Sequence, residues 1–383
     1  MESSTRTQLP APAPQAQAHS DNVVRGIRDE IARAGGWIPF TRYMELALYA
    51  PGLGYYAGGA AKFGAAGDFV TAPEISPLFG RSLARVMAEA LAPTGGDILE
   101  LGAGSGRLAL DVLLELERRA CLPERYLILE LSPDLRARQR DLLAEAAPRL
   151  LSRVVWFDTL PERLHGVILA NEVLDALPVH LVHWTAEGVR ERGVAWNAAG
   201  LAWADRPVAS PTLARAVARL PVTAPYLSEV NLAAPALMAS LAACLEQGLI
   251  LLVDYGFKRA EYYHPQRRTG TLKVHYRHHG LDDAFFLPGL ADITAHVDFS
   301  AVAETAGAAG LDLLGYTGQG RFLLDAGLLE LLADMTPGTP EYLRAAQAVQ
   351  KLVQPHEMGE LFKVMLLGRG VAHPAACRRL DPL

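Results

Sequence analysis

The stretch Asp97-Ile98-Leu99-Glu100-Leu101-Gly102-Ala103-Gly104-Ser105-Gly106-Arg107 decides the fold, because a short apolar strand runs straight into three glycines at alternate positions. Residues 98–101 read as a buried strand, the glycines permit a turn too tight for a Cβ, and residues 108–116 restart at helical spacing. Leu110, Leu113 and Leu114 fall on one face of that helix, with Arg107, Asp111, Glu115 and Arg118 on the other, so the helix is expected to lie on a sheet. Backbone N–H groups then converge beside a helix N-terminus at the carboxyl edge of the first strand, where doubly wound sheets bind ligands. The pattern predicts a nucleotide-cofactor enzyme, with a tight turn that holds no ligand as the plainer alternative.

A dinucleotide site needs Gly-x-Gly-x-x-Gly, and here Arg107 occupies the place of the third glycine. Glu100-x-Gly102-x-Gly104-x-Gly106 instead resembles motif I of the class I S-adenosylmethionine methyltransferases, whose cofactor has no phosphate and carries an ammonium and a sulfonium. A carboxylate at Glu100 suits such a cation. A second apolar strand, 126–129, ends in Glu130, 28 residues past Gly102, the place for an acceptor of a ribose diol. A third, 154–157, ends in Asp158, where class I enzymes contact adenine. The fourth, 167–169, closes on Asn171, Glu172 and Asp175; the segment is expected to turn helical after Glu172, which would bring Glu172 and Asp175 to one ligand. Helix capping by Asn171 or Asp175 is the competing reading.

With 383 residues, half of them hydrophobic, the chain can bury a large core and exceeds the usual single-domain size. The net charge of −6 argues against generic nucleic-acid binding. Cys121, Cys244 and Cys377 have neither paired nor metal-ligand spacing and fit a reducing compartment. No basic start followed by an apolar run opens the chain, and the longest apolar stretch, 232–245, is shorter than the ~20 residues a bilayer needs. The expectation is a bacterial cytoplasmic protein with no membrane partner.

Composition and periodicity suggest an α/β organisation in pieces: a disordered Pro/Ala/Gln/Ser-rich tail at 1–20, a helical segment at 21–95, and the first part of a cofactor-binding core at 96–187. An inserted lobe at 188–247, with a hairpin and a helix, precedes a core strand at 248–258; a second lobe at 259–309 precedes the last core part at 310–372 and a tail at 373–383. Phe362 opens a last strand, for which 318–324 is the expected hairpin partner. The loop at 63–76 joins glycines, Asp68, Thr71, Glu74 and Ser76 just before a helix; Thr71 or Ser76 reads equally as a cap.

The blocks FTRYMELALYAPGLGYY (40–56), GDFVTAPEISPLFG (67–80), ELGAGSG (100–106), NEVLDALP (171–178), DYG (254–256), GTL (270–272), DITAHVDF (292–299) and GELFKV (359–364) together resemble the MidA family. These are class I methyltransferases related to the mitochondrial complex I assembly-factor protein arginine methyltransferase. The resemblance implies a Rossmann-like, doubly wound sheet with an N-terminal helical segment and two inserted lobes. It implies S-adenosyl-L-methionine as donor and a protein client that carries the methylated arginine. Carried onto this chain, Glu100, Gly102, Gly104, Gly106 and Glu130 would hold the cofactor, and Asn171, Glu172 and Asp175 would lie beside the methyl group. Val173 and Leu174 stand where many relatives have two phenylalanines, a departure in the acceptor pocket.

An arginine acceptor stays protonated in water, so the site must clamp the guanidinium, for which Glu172 and Asp175 are the first candidates. Asp68, Thr71, Glu74 and Asp254 are further candidates for the substrate, and Asp298 is a reserve carboxylate; any of these acids can equally serve a cap or turn. His279 and His296 are candidate proton acceptors within a histidine-rich stretch that lacks the spacing of a metal site, so no metal is expected. Rival readings are methylation of RNA or a small molecule, a docking factor that binds the cofactor without turnover, and a nicotinamide oxidoreductase. The sequence leaves the oligomeric state open.

Overall fold

The computed structural model describes residues 9–58 and 71–375, and the chain divides into two compact units. One comprises Thr71–Asp175, Ala234–Arg259 and Val297–Leu383. Its strands are β1 (Asp97–Leu101), β2 (Tyr126–Leu129), β3 (Val154–Phe157), β4 (Leu164–Asn171), β5 (Leu245–Phe257), β6 (Val297–Asp298), β7 (Asp312–Gly318) and β8 (Phe362–Arg369). In space they run β3-β2-β1-β4-β5-β8-β7, with β6 paired beside the end of β5. Strands β1 to β5 are parallel, and β8 lies antiparallel between β5 and β7. The chain winds outward from β1 to β3 and then returns to place β4 on the other side of β1. The order therefore reverses between β1 and β4, which opens the ligand crevice at their carboxyl ends.

The local chemistry explains these elements. Residues 249–253 of β5 are all fully buried, so both faces of that strand are covered and its sequence reads as a continuous apolar run. Helices α1 (Pro77–Thr94), α2 (Arg107–Arg118) and α3 (Pro133–Ala146) each begin at a defined stop: Ser76 Oγ accepts the Leu78 N–H, Gly106 precedes Arg107, and Ser132 Oγ accepts the Leu135 N–H. The two acids on the polar face of α2 are buried too, while Arg107 and Arg118 on that face are exposed. Asp111 and Glu115 are almost fully covered, and Glu115 accepts from Arg81 Nε of α1 at 3.0 Å and from Arg118 Nη2 at 2.7 Å.

The other unit comprises residues up to Val70, then Ala176–Ala233 and Ala260–His296. It holds a five-stranded antiparallel sheet (Trp37–Pro39, Gly188–Asn197, His180–Thr185 and Tyr226–Val230 in order, with Gly200–Pro207 on Gly188–Asn197) and a three-stranded sheet of Lys273–Tyr276, His279–Leu281 and Asp292–Thr294. The helix Phe40–Tyr49 buries Phe40, Tyr43, Met44, Ala47 and Leu48, a full amphipathic stripe. No described helix is long and apolar enough to cross a membrane.

Four features differ from the sequence expectation. A helix spans Pro14–Arg33, so residues 14–20 are ordered rather than part of a tail; Pro14 presets the first turn, and buried Ser20 donates to the Pro288 carbonyl at 2.9 Å. The two insertions join the N-terminal residues in one unit, while 71–95, 234–247 and 297–309 belong with the sheet, whose first part closes at Asp175. The partner of β8 is β7 at Asp312–Gly318, and Gln319–Asp325 is a helix rather than a hairpin strand. Residues 172–178 form no helix.

Candidate active site

The sheet register lines up the functional residues before any side chain is considered. Leu101 pairs with Leu129 and with Ala170, Leu129 with Phe157, and Val253 with Asn171. Gly102, Glu130, Asp158 and Asn171 therefore stand at adjoining ends of four parallel strands, with Asp254 beside them in β5, just past its last pair with β4.

Gly102, Gly104 and Gly106 have φ of +61°, +52° and +85°, a region where side chains are strained. The Gly102 N–H donates to the Leu129 carbonyl at 3.0 Å and the Gly106 N–H to the Ala103 carbonyl at 2.8 Å, which sets the loop against β2. Glu100 is 2% exposed and accepts from the Tyr126 hydroxyl at 2.7 Å. Burial pushes its carboxyl up to about 7 against that hydrogen bond, with Glu130 adding repulsion.

Glu130 is buried at the end of β2. Its Oε1 accepts the Ser132 N–H at 2.9 Å and its Oε2 the Gln139 amide at 3.1 Å, and the Leu131 N–H also donates to the carboxylate, so one lone-pair position is left for a ribose hydroxyl. Burial raises its pKa, and these donors, with Arg136 nearby, pull it back. Asp158 at the end of β3 is exposed and paired with Arg136. Arg136 also donates from Nε to the Glu130 carbonyl at 2.5 Å and from Nη2 to the Phe157 carbonyl at 2.7 Å, tying β2 to β3. A glycine cradle beside a partly unsatisfied carboxylate fits S-adenosylmethionine.

Asp254, buried in β5 just past its last pair with β4, accounts for the missing helix after Glu172. Its Oδ2 accepts the N–H groups of Val173, Leu174 and Asp175 at 3.2, 2.8 and 3.2 Å, and its Oδ1 accepts that of Tyr255 at 2.9 Å. A carboxylate that gathers three successive amides winds the chain into a turn, and Glu172 takes φ of +53° to enter it. Asp254 is thus engaged with backbone rather than available as a substrate clamp. Burial, with the charges of Asp175 and Glu172, holds its pKa well above the ordinary range while the amides oppose the shift. Asn171 Nδ2 donates to Glu172 Oε1 at 3.2 Å, and Asn171 Oδ1 is buried with no hydrogen-bond partner among the described residues. The turn therefore presents an acceptor and concentrated negative charge, a combination that suits a cation with N–H donors.

The remaining candidates separate. Asp68 lies outside the described residues. Thr71 precedes the short helix Ala72–Ile75 without a side-chain cap bond, while Ser76 caps α1. Glu74 accepts from the Ser105 hydroxyl and so belongs to the glycine loop. Asp298 caps the helix Phe299–Ala308 through Ala301 N–H at 3.2 Å. His279 and His296 lie in the other unit: His279 is exposed, and burial with the charges of Arg267 and Lys273 pushes half-buried His296 down to about 4. A neutral imidazole of that low basicity is a poor proton acceptor. Among the described residues no group of three His, Cys, Asp or Glu side chains is arranged to hold a metal ion.

Sequence reasoning missed Arg136, Gln139 and the link from Glu74 to Ser105. Only Gln139 left a signal: it falls on the apolar stripe of α3 between Leu135 and Leu143.

A doubly wound sheet with a glycine loop, a buried carboxylate at the end of the next strand and an acidic turn across the switch point is the arrangement of a nucleoside-cofactor transferase. The chain belongs to a family of S-adenosyl-L-methionine-dependent methyltransferases, whose model matches residues 78–317. It is 30% identical to the mitochondrial protein arginine methyltransferase NDUFAF7 homolog of Drosophila melanogaster, over 94% of this chain and 88% of that one. With the NDUFAF7 protein arginine methyltransferase of Danio rerio it shares 29% identity over 86% and 83% of the two chains. The crystal structure of a COG1565 superfamily member from Burkholderia thailandensis, bound to S-adenosyl-homocysteine, is 50% identical with a TM-score of 0.95, over 98% and 99% of the chains. The fold is that of a class I methyltransferase, and S-adenosylmethionine is the cofactor.

Proposed function

We propose that this enzyme methylates an arginine side chain of a protein client. The observation that carries the reading is the acidic turn that bears Asn171, Glu172 and Asp175, wound by Asp254 through the Val173, Leu174 and Asp175 amides, one strand away from the glycine loop. The curated relatives named above are protein arginine methyltransferases, which supports the same acceptor.

When bound, S-adenosylmethionine supplies an electrophilic methyl group. Glycines 102, 104 and 106 and Glu130 hold the donor, with Asp158 at the adenine end. Glu172 and Asp175 grip the guanidinium, and Asn171 Oδ1 accepts one of its N–H groups. Gripping two nitrogens concentrates the lone pair on the third, and orientation supplies most of the acceleration. The nitrogen that gains the methyl sheds one proton, which the carboxylate of Glu172 or Asp175 accepts. A bacterial relative half identical to this chain supports a bacterial setting, in which the cytoplasm is the proposed compartment, whereas the curated relatives are mitochondrial.

The test is to incubate purified protein with methyl-labelled S-adenosylmethionine and lysate from a strain lacking its gene, separate protein, RNA and small molecules, and hydrolyse the labelled protein. Label in methylated arginine is expected. Label confined to RNA or small molecules would overturn the acceptor, and absence of label with cofactor binding intact would point to docking without turnover.

A further inference from the structure

Helix α3 buries an amide among hydrocarbon. Leu135, Gln139 and Leu143 recur at four-residue spacing as the buried stripe of the helix, and Gln139 is 0% exposed. An amide so placed is costly unless bonded, and this one is bonded at both ends. Its Nε2 donates to the Gly104 carbonyl at 2.9 Å and to Glu130 Oε2 at 3.1 Å, and its Oε1 accepts the Trp156 indole N–H at 2.8 Å. The indole only donates, while the carbonyl and ionised carboxylate only accept, so the amide orientation is forced. Its three partners belong to the glycine loop, the end of β2 and the strand β3. A Cβ placed on Gly106 would stand 3.2 Å from the Gln139 Cα, so helix and loop are already in close apposition.

We propose that Gln139 is the positioning residue of the donor site, holding the Gly104 carbonyl and the Glu130 carboxylate in one fixed relation. The glycine cradle and the ribose acceptor are then set before the cofactor arrives, and affinity gains from ordering already done. This rests on the assignment of Glu130 to the ribose. The charged groups near the amide include Glu130 itself, Arg136 on the same helix, Asp158 beside Arg136, Arg140, whose guanidinium lies over the Trp156 ring, and Glu100, which feels the Glu130 charge.

The experiment measures binding of S-adenosylhomocysteine and its 2′-deoxy analogue to the full chain by calorimetry, for wild type, Gln139→Met, Gln139→Glu and Glu130→Gln. Wild type should prefer the ribose form by about tenfold or more, the worth of one hydrogen bond to a charged group. Gln139→Met keeps the bulk without the donors and should reduce that preference to about threefold or less. A carboxyl at 139 donates only when protonated, so Gln139→Glu should lose about tenfold in affinity between pH 6 and pH 8.5 beyond any wild-type change. A mere core residue would move the thermal midpoint and leave the ribose preference and the pH slope at wild-type values, which would overturn the proposal. Should Gln139→Glu fail to fold, the ribose preference of Gln139→Met decides alone. If Glu130→Gln keeps the wild-type preference, the ribose assignment falls and this role of Gln139 with it. If Glu130→Gln loses the preference while Gln139→Met keeps it, only the present proposal falls.

Discussion

Asp254 Oδ2 lies 2.8 Å from the amide nitrogen of Leu174 and 3.2 Å from those of its two neighbours, Val173 and Asp175. One buried carboxylate on β5 thereby shapes the turn at the end of β4 that carries every residue assigned to the acceptor. On the proposed reading, acceptor geometry is set from a strand that need not touch the acceptor.

Replacing Asp254 by Asn keeps an oxygen for the three amides but sets an NH2 group against the Tyr255 N–H. An unpaired buried donor costs about 1–3 kcal/mol, so urea unfolding should show that loss. Catalysis should suffer more than cofactor binding, with kcat down about tenfold and S-adenosylhomocysteine affinity within about twofold of wild type. Equal loss of both would refute a role confined to the acceptor turn.

Glu172 holds φ of +53°, strain that a glycine would not feel. Glu172→Gly is expected to stabilise the protein by about 1 kcal/mol while reducing kcat by about a hundredfold or more, and Glu172→Gln should lose activity without the gain in stability. Thermal unfolding and single-turnover methyl transfer read the two effects separately; an active Glu172→Gly enzyme would remove this side chain from the acceptor clamp.

Gly104 at φ of +52° cannot become valine without strain of about 1–2 kcal/mol, and a branched side chain would also intrude on the cofactor cradle. Gly104→Val should keep a cooperative unfolding transition and lose S-adenosylhomocysteine binding by about a hundredfold. A variant that still supports the cellular role without binding cofactor would favour docking over catalysis.

Glu100 has its pKa raised to about 7 in the fold from an ordinary value of 4.5. The folded state therefore holds the proton more tightly than the unfolded chain, and this contribution to stability is complete below 4.5 and is lost as pH rises to about 7. Asp111, raised from 3.8 to about 7, acts in the same sense, whereas His296, lowered from 6.5 to about 4, acts oppositely. Glu100→Gln still accepts from Tyr126 and cannot ionise, so its melting temperature relative to wild type should rise from pH 5 to pH 8, by on the order of 5 °C. A difference that stays constant with pH would show that Glu100 titrates normally.

The strand ends were legible in sequence because each is a largely apolar run closed by a glycine or a polar residue: Leu101 then Gly102, Leu129 then Glu130, Phe157 then Asp158, Ala170 then Asn171. The Pro14 start of the first helix was hidden, since the contact that anchors it, Ser20 to Pro288, joins residues 268 positions apart. The single unit built from the N-terminus and both insertions was hidden for the same reason, because its core joins Val23 and Ile27 to Val274 and Ile293. A linear reading divides the chain at changes of pattern, whereas packing groups whatever apolar surfaces meet.

The sequence by itself determined the doubly wound sheet, the glycine loop and the row of acids at its carboxyl edge, since strand periodicity and left-handed glycines are local properties. Tertiary structure alone decided what those acids do. Glu100 is drawn to Tyr126, Glu74 to Ser105 and Asp254 to three amides of a distant turn, while Glu130 accepts three N–H groups and keeps one lone pair. A carboxylate reads the same in any sequence, and its role follows from which donors the fold brings within about 3 Å of its oxygens.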